Sequence, residues 1–292
     1  MEVAMNREKA ALLSVVSNSF LITVKLVAGI LMHSIGVISE AIHSSIDLIA
    51  SIIAFFSIRK AAKPADDDHP FGHGKYENVS GFVEAILIFF AALLIIYEAL
   101  KRIITGAYVE NLGMGIVVML FSALINSVVS FYLFKVAKKE DSIALKADAI
   151  HLLTDVFTSL GVAAGLVIIR FTGINILDPV IAIFVAFLII KASVDLTKEA
   201  LKDLTDTSLP EEELKEIEEI IKSNPEITSF HKLRTRKSGQ KREIDVHLRV
   251  RRDANIVEAH ELSHKVSKQI IDRFPEANVT VHIEPEEKKE EK

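Results

Sequence analysis

The sequence predicts an α-helical membrane protein with six transmembrane helices and a small α+β cytoplasmic domain of αββαβ order. Three observations carry this. Half of the 292 residues are hydrophobic while a quarter are charged, a mixture that requires the two kinds to be segregated along the chain. Six apolar segments reach the ~20 residues that a helix needs to cross a bilayer. After about residue 205 the long apolar runs stop, and shorter segments alternate between helical and strand periodicity. The division expected is a transmembrane domain over 1–205, a cytoplasmic domain over 206–286 and a charged tail over 287–292.

The six segments run at about 9–32, 36–60, 79–101, 113–136, 142–171 and 177–199. The first is too long for the apolar core of a signal peptide and ends in LMHS without an A-x-A pattern, so it is expected to remain in the mature protein. Arg7, Lys9, Arg59, Lys60, Lys63, Lys75, Lys135, Lys138 and Lys139 flank the segments on one side, against Lys101, Arg102 and Arg170 on the other. The excess of positive charge places the first group in the cytoplasm, and an even number of spans then leaves both termini there. Lys25 and Lys191 lie near enough to span ends to extend toward the interface. Beyond 208, PEEELKEIEEIIKSN reads as an amphipathic helix. ITSFHKLRTRK and REIDVHLRV alternate as strands joined at Ser238-Gly239, IVEAHELSHKVSKQIIDRF is helical, and NVTVHIE alternates again. A core this small gains from pairing with a second copy.

Composition narrows the chemistry. Cys is absent, which removes disulfides and thiolate ligands, so any metal must use N and O donors. The net charge is −5 and the acidic residues gather in EPEEKKEEK at the C-terminus, which argues against a nucleic-acid partner.

The second and fifth spans each carry a His and an Asp four residues apart, His43 with Asp47 in HSSID and His151 with Asp155 in HLLTD. At 100° per residue the two side chains of a pair lie about 40° apart on one helix face. An Asp near the middle of a membrane helix costs on the order of 2.5–3.5 kcal/mol, so two ask for roughly 5–7. Hydrogen-bonded glue between helices is one reading. The other is a four-coordinate shell of two imidazoles and two carboxylates, which suits Zn²⁺ and its transition-metal neighbours.

Two further groups stand outside the spans. The loop PADDDHPFGHGKYE crowds Asp66, His69 and His73 into eight residues, with Gly72 and Gly74 free to bend. It reads either as a partial metal shell or as a solvated acidic turn. His231, His247, His260 and His282 occur on four different predicted elements, with Glu284 on the same strand face as His282. Exposed inert histidines and a converging metal site are both open, and His264 is a further candidate. HELSH at 260–264 matches H-E-x-x-H, in which two His hold zinc and Glu acts as general base. A membrane-tethered protease is therefore a rival, although the domain is small for a proteolytic cleft and the intramembrane pairs would have no role.

Together, HSSID, PADDDHPFGHGK, ADAIHLLTD and LPEEE leading into a His-bearing αββαβ domain resemble the cation diffusion facilitators, from the first span to about Glu284. The resemblance implies a homodimer of six-span protomers, each with a metallochaperone-like cytoplasmic domain, exporting Zn²⁺ and related ions in exchange for protons across a bacterial or archaeal cell membrane. It assigns a transport site to His43, Asp47, His151 and Asp155, a loop site to Asp66, His69 and His73, and a cytoplasmic site to His231, His247, His260, His282 and Glu284. Lys75 and Asp206 match positions that form ion pairs near the dimer hinge of similar proteins. The chain departs from many bacterial members in having His43 where they have Asp, and Glu284 where Asp is usual.

Imidazole in place of a hard carboxylate disfavours ions that demand oxygen shells, so Zn²⁺ is expected over Mn²⁺, with Co²⁺, Cd²⁺ and Fe²⁺ also admissible. Imidazole titrates near pH 6.5 when unperturbed, which lets metal and protons compete for one site. The resemblance further implies regulatory Zn²⁺ in the cytoplasmic domain. A membrane metal sensor is the alternative that keeps the metal without transport, and no output motif supports it. Glu40, Glu84 and Asn126 are candidates to line a polar approach, and Asp148, three residues before His151, to steer cations or orient a ligand.

Overall fold

The computed structural model describes residues 2–31, 35–105, 113–172 and 176–287, with side chains apart from those of 2–5, 35–37, 39–40, 43, 113–116, 162–172 and 178. Six long helices come first: α1 (Glu2–Leu31), α2 (Ile35–Ala61), α3 (Lys75–Thr105), α4 (Gly113–Glu140), α5 (Ile143–Thr172) and α6 (Leu177–Leu204). Then follow α7 (Glu211–Lys222), β1 (Ile227–Ser238), β2 (Lys241–Val250), α8 (Ile256–Arg273) and β3 (Asn278–Pro285). The chain divides into two compact units, Met1–Leu201 and Lys202–Lys292.

The first unit is packed inside out. On α4 the bulky Val117, Leu124, Val128 and Phe131 are exposed, while Ser122, Asn126 and Ser130 are buried. These two stripes recur every three or four residues on opposite faces, as expected when hydrocarbon is the solvent. Buried contacts use small side chains. Ala10 and Ala11 of α1, Ile58 of α2, Val129, Leu133 and Ala137 of α4, and Ala144, Leu145, Ala149 and Leu152 of α5 form one cluster. Ala85, Ile88 and Ala92 of α3, Ile143 and Ala147 of α5, and Ala186, Ile189, Leu196 and Ala200 of α6 form another. Helix α5 belongs to both and is the centre of the unit. Where α1 meets α2 the approach is close: a Cβ on Gly29 would lie 2.7 Å from Ile38 Cγ1.

Among the described residues, four helices are long and apolar enough to cross a membrane: Asn6–Leu31, Lys75–Thr105, Val117–Glu140 and Pro179–Leu204. Helices α2 and α5, whose described residues are incomplete, carry Asp47 and Asp148, His151 and Asp155. Several helices outrun the apolar segments read from sequence. At 31 residues, α3 is about 46 Å long, so its polar ends continue as helix.

The second unit is a three-stranded sheet of order β1-β2-β3. Strand β2 pairs antiparallel with β1 and parallel with β3, the latter through the crossover helix α8. Gly239, with φ of 61°, makes the hairpin turn. Asn255 caps α8, accepting from Val257 N and Glu258 N in a reciprocal capping box with Glu258. Ile244, Val246, Leu248 and Val250 of β2 are buried with Ile217 and Ile221 of α7 and Leu262, Val266 and Ile270 of α8. Both helices therefore cover the face to which the even positions of β2 point, and the odd positions, His247 among them, lie on the other face.

Candidate functional site

Three groups of His and carboxylate side chains bring ligand atoms within 4.8 Å of one another among the described residues. The first, Asp47, His151 and Asp155, joins α2 to α5. His151 Nε2 lies 3.0 Å from Asp47 Oδ1, and these residues are 4% and 5% exposed. Burial at that level strips water from groups that demand solvation, so the charge of the cluster has to be balanced there, by a proton or by a cation. The side chain of His43 lies outside the described residues, as does that of Glu40.

The second group is Asp66, His69 and His73 in the loop between α2 and α3. His73 Nδ1 lies 3.1 Å from the carbonyl of Pro64. A carbonyl only accepts, so Nδ1 carries a proton, and Nε2 lies 3.3 Å from Asp66 Oδ2. His69 packs against His73 with ring centroids 4.3 Å apart and the rings tilted by 37°, and its backbone N–H donates to Asp66 Oδ1 at 2.8 Å. Loss of hydration opposes ionisation of Asp66, but the backbone and side chain of His69 and the charge of His73 outweigh it and hold the carboxyl below its ordinary range. Gly72, with φ of 82°, provides the left-handed turn between Pro70 and His73.

The third group lies on the face of the sheet that no helix of its own unit covers. His231 sits opposite His247, and His247 opposite His282, so three imidazoles cross three strands in register. Glu284 reaches back among them: Oε1 is 2.8 Å from His247 Nδ1, and Oε2 is 3.4 Å from His231 Nε2. The His247 hydrogen bond, opposed by desolvation and helped by the charges of His231, His247 and Lys232, keeps Glu284 below the usual carboxylate range. The tight set is His231, His247 and Glu284, with His282 at 3.7 Å from Glu284.

His260 does not join it within one chain. It precedes the buried Leu262 by two residues, about 200° around α8, so it turns away from the sheet that α8 covers on the opposite face. Its ring meets that of His264 instead, at 4.4 Å. The strand registers were readable as faces, but the face chosen by α8 was not, and within one chain His260 stands apart from the other four residues of the expected set. Lys25 is also corrected. It is 5% exposed and donates to Ser44 of α2 at 2.7 Å, so it is held inside the bundle and does not extend to an interface. Lys191 is exposed. Asp206 accepts from Arg236 at 3.2 Å.

Sequence reading missed a polar network around the first group. Asn18 donates to Ser51 at 2.7 Å, Ser51 and Ser14 lie 3.0 Å apart, and Ser51 donates to Asp148 Oδ1 at 3.0 Å. Arg7 of α1, Glu77 of α3 and Ser142 before α5 form a second buried set. The available signal was the spacing of Arg7, Ser14, Asn18 and Lys25 along one face of an apolar segment, since each step is three, four or seven residues or close to it.

Comparison with known proteins agrees with both units. The cation efflux transmembrane domain matches residues 11–205, and the cytoplasmic domain of cation efflux proteins matches 209–286. The chain is 36% identical over 262 residues to an uncharacterized transporter, sll1263, of Synechocystis, covering 89% of this chain and 84% of that one. It is 31% identical over 279 residues to the cation-efflux pump FieF of Citrobacter koseri, covering 95% and 92%. Its C-terminal unit is 28% identical to the metal-bound C-terminal domain of the CzcD transporter from Thermotoga maritima, with a TM-score of 0.25, over 26% of this chain and 94% of that one. Members of this family are transporters and not enzymes, so HELSH is not a protease centre: His260, Glu261 and His264 are exposed on one helix. By two matched domains and full-length relatives, the chain belongs to the cation efflux, or cation diffusion facilitator, family of divalent-metal transporters.

Proposed function

We propose that this transporter exports Zn²⁺ from the cytoplasm in exchange for protons, through a site built from Asp47, His151 and Asp155 and completed by His43. The observation that carries the reading is the meeting of two carboxylates and an imidazole, largely buried, between α2 and α5 of an apolar bundle. Ligands must shed protons to bind a metal, so metal and protons compete for the same lone pairs and each can displace the other. Alternating exposure of the site by helix movement then couples the two fluxes.

In this reading α2 and α5 also span the membrane, giving six spans with both termini cytoplasmic, and two chains form a homodimer. The loop group of Asp66, His69 and His73 and the sheet group of His231, His247, His282 and Glu284 hold regulatory Zn²⁺. Filling the sheet group favours one state of the dimer to the extent that the two states differ in metal affinity. Imidazole at the transport site favours Zn²⁺ over Mn²⁺.

The test is Zn²⁺ uptake into proteoliposomes by the wild type and by Asp47→Ala, with and without an imposed pH gradient. Flux that is driven by the gradient and lost in the variant is expected. Flux indifferent to the gradient would remove proton exchange, and Mn²⁺ flux equal to that of Zn²⁺ would remove the selectivity.

A further inference from the structure

Next to the Asp47–His151 contact, α2 and α5 make a second one. Ser51 follows Asp47 by one helical turn, Asp148 precedes His151 by three residues, and Ser51 donates to Asp148 Oδ1 at 3.0 Å. The two contacts are thus successive rungs of one ladder, spaced about 4.5 Å along α5. Ser51 lies nearer the end of α2 that carries Arg59 and Lys60, the end assigned above to the cytoplasm.

Helix α3 contributes Glu84 to this second rung. Glu84 and Asp148 are both fully buried, at 0% exposure, and Glu84 lies within electrostatic reach of Asp148 and of His151. Ser80 donates to Glu84 Oε1 at 3.2 Å. Each carboxyl then leaves one oxygen buried without a hydrogen-bond partner, Oε2 of Glu84 and Oδ2 of Asp148. Buried oxygens of this kind are paired almost without exception. Two of them on acids within electrostatic reach of one another, about one turn from the Asp47–His151 contact, have the donor chemistry of a hard divalent-cation site: carboxylate oxygens and a hydroxyl, with no obligatory nitrogen.

We infer that Glu84 and Asp148, with Ser51, form a loading site that receives a divalent cation one turn to the cytoplasmic side of Asp47, His151 and Asp155 and passes it on. This rests on the transport reading given above. An all-oxygen shell discriminates weakly among divalent ions, so Mn²⁺ enters the loading site and the imidazole-bearing site beyond it makes the choice. Mn²⁺ therefore inhibits Zn²⁺ flux while being carried poorly.

The experiment uses the full chain in detergent with the loop and sheet groups removed by Asp66→Ala, His69→Ala, His231→Ala and Glu284→Ala, and the transport site disabled by Asp155→Ala. Mn²⁺ is titrated and the bound fraction read from the loss of the free-ion paramagnetic resonance signal. One Mn²⁺ per chain is expected, weakened at least tenfold by Glu84→Gln and by Asp148→Asn, each checked for unchanged helix content and elution. No bound Mn²⁺, or affinity unmoved by both variants, would overturn the loading site. In a chain that keeps Asp155, Mn²⁺ inhibition of Zn²⁺ flux should fall in Glu84→Gln; undiminished inhibition counts equally against it. Failure of the transport reading looks different: Asp155→Ala alone would then leave Zn²⁺ flux intact, whatever Mn²⁺ does.

Discussion

The groups at Asp47, His151 and Asp155 and at His231, His247 and Glu284 use the same two ligand types, imidazole and carboxylate, in opposite settings. In the first, the ligands project from two helices into a bundle whose outer surface is Leu, Val and Phe, and His151 and Asp47 are 4% and 5% exposed. In the second, they stand in register on an uncovered sheet face, with side chains 29%, 23% and 26% exposed. The difference teaches what burial does to the same ligand chemistry. A buried, water-poor cluster needs its charge neutralised, and under the proposed function metal and proton compete for that role. An exposed cluster keeps access to water and to other chains, so it can fill and empty with solution metal at little electrostatic cost.

The sharpest way to break this contrast is to remove one carboxylate from each setting. Asp47→Ala should reduce Zn²⁺ flux by more than the roughly 10–100-fold that loss of an outer-shell partner costs a metal site, whereas Glu284→Ala should leave flux in saturating Zn²⁺ within a few-fold. Equal losses in proteoliposome uptake would erase the distinction. Next in size is the packing that presents the sheet face. Ile270→Ala empties a fully buried position and should cost about 2–5 kcal/mol, read as faster hydrogen exchange in β2, with no comparable change in exchange of α5.

Metal binding at the exposed face should respond to Glu284→Gln by a loss of about tenfold in Zn²⁺ affinity in a chain lacking the other two groups, measured by competition with a chromogenic chelator. The pH response of the same group has a definite sign. Its carboxyl is held below the ordinary value chiefly by the hydrogen bond from His247, so the carboxylate's contribution is present above the unfolded value, about 4.3, and fades as pH falls through the lower folded one. The part of the exchange protection that Glu284→Gln removes should therefore shrink as pH falls below about 4.3.

The smallest effect should come from Glu213, whose carboxylate accepts from Arg242 at 2.7 and 2.9 Å. Arg242 lowers its ionisation range, with the same sign of pH dependence, and Glu213→Gln should cost about 0.5–1 kcal/mol at pH 7, as partly solvated pairs do. A larger loss would mean that the second unit draws more of its stability from charge than from the Ile217–Ile270 core.

Much of this was legible in the chain because it rests on local rules. Apolar runs of membrane length gave the six helices, alternation gave three strands, and four-residue spacing placed His151 and Asp155 on one face of α5. The pairing of His231 with His247 and of His247 with His282 needed the register, which depends on the bulge between His231 and Arg234 and on the crossover by α8. The position of His260 was hidden for the same reason: a helix can cover either face of a sheet, and the choice follows from where Leu262, Val266 and Ile270 find their partners.

Membrane character, the αββαβ order and the ligand types were thus set by the sequence alone, since hydropathy, periodicity and donor chemistry belong to the residues themselves. Which polar groups meet was decided only by tertiary packing. Lys25 with Ser44, Ser51 with Asp148, and Glu84 within the field of Asp148 join helices distant in the chain, and no local spacing encodes how α1, α2, α3 and α5 rotate against one another. That rotation is fixed by small buried residues such as Ala85, Ala144 and Ala147 fitting close, and close fit is a property of the assembled bundle.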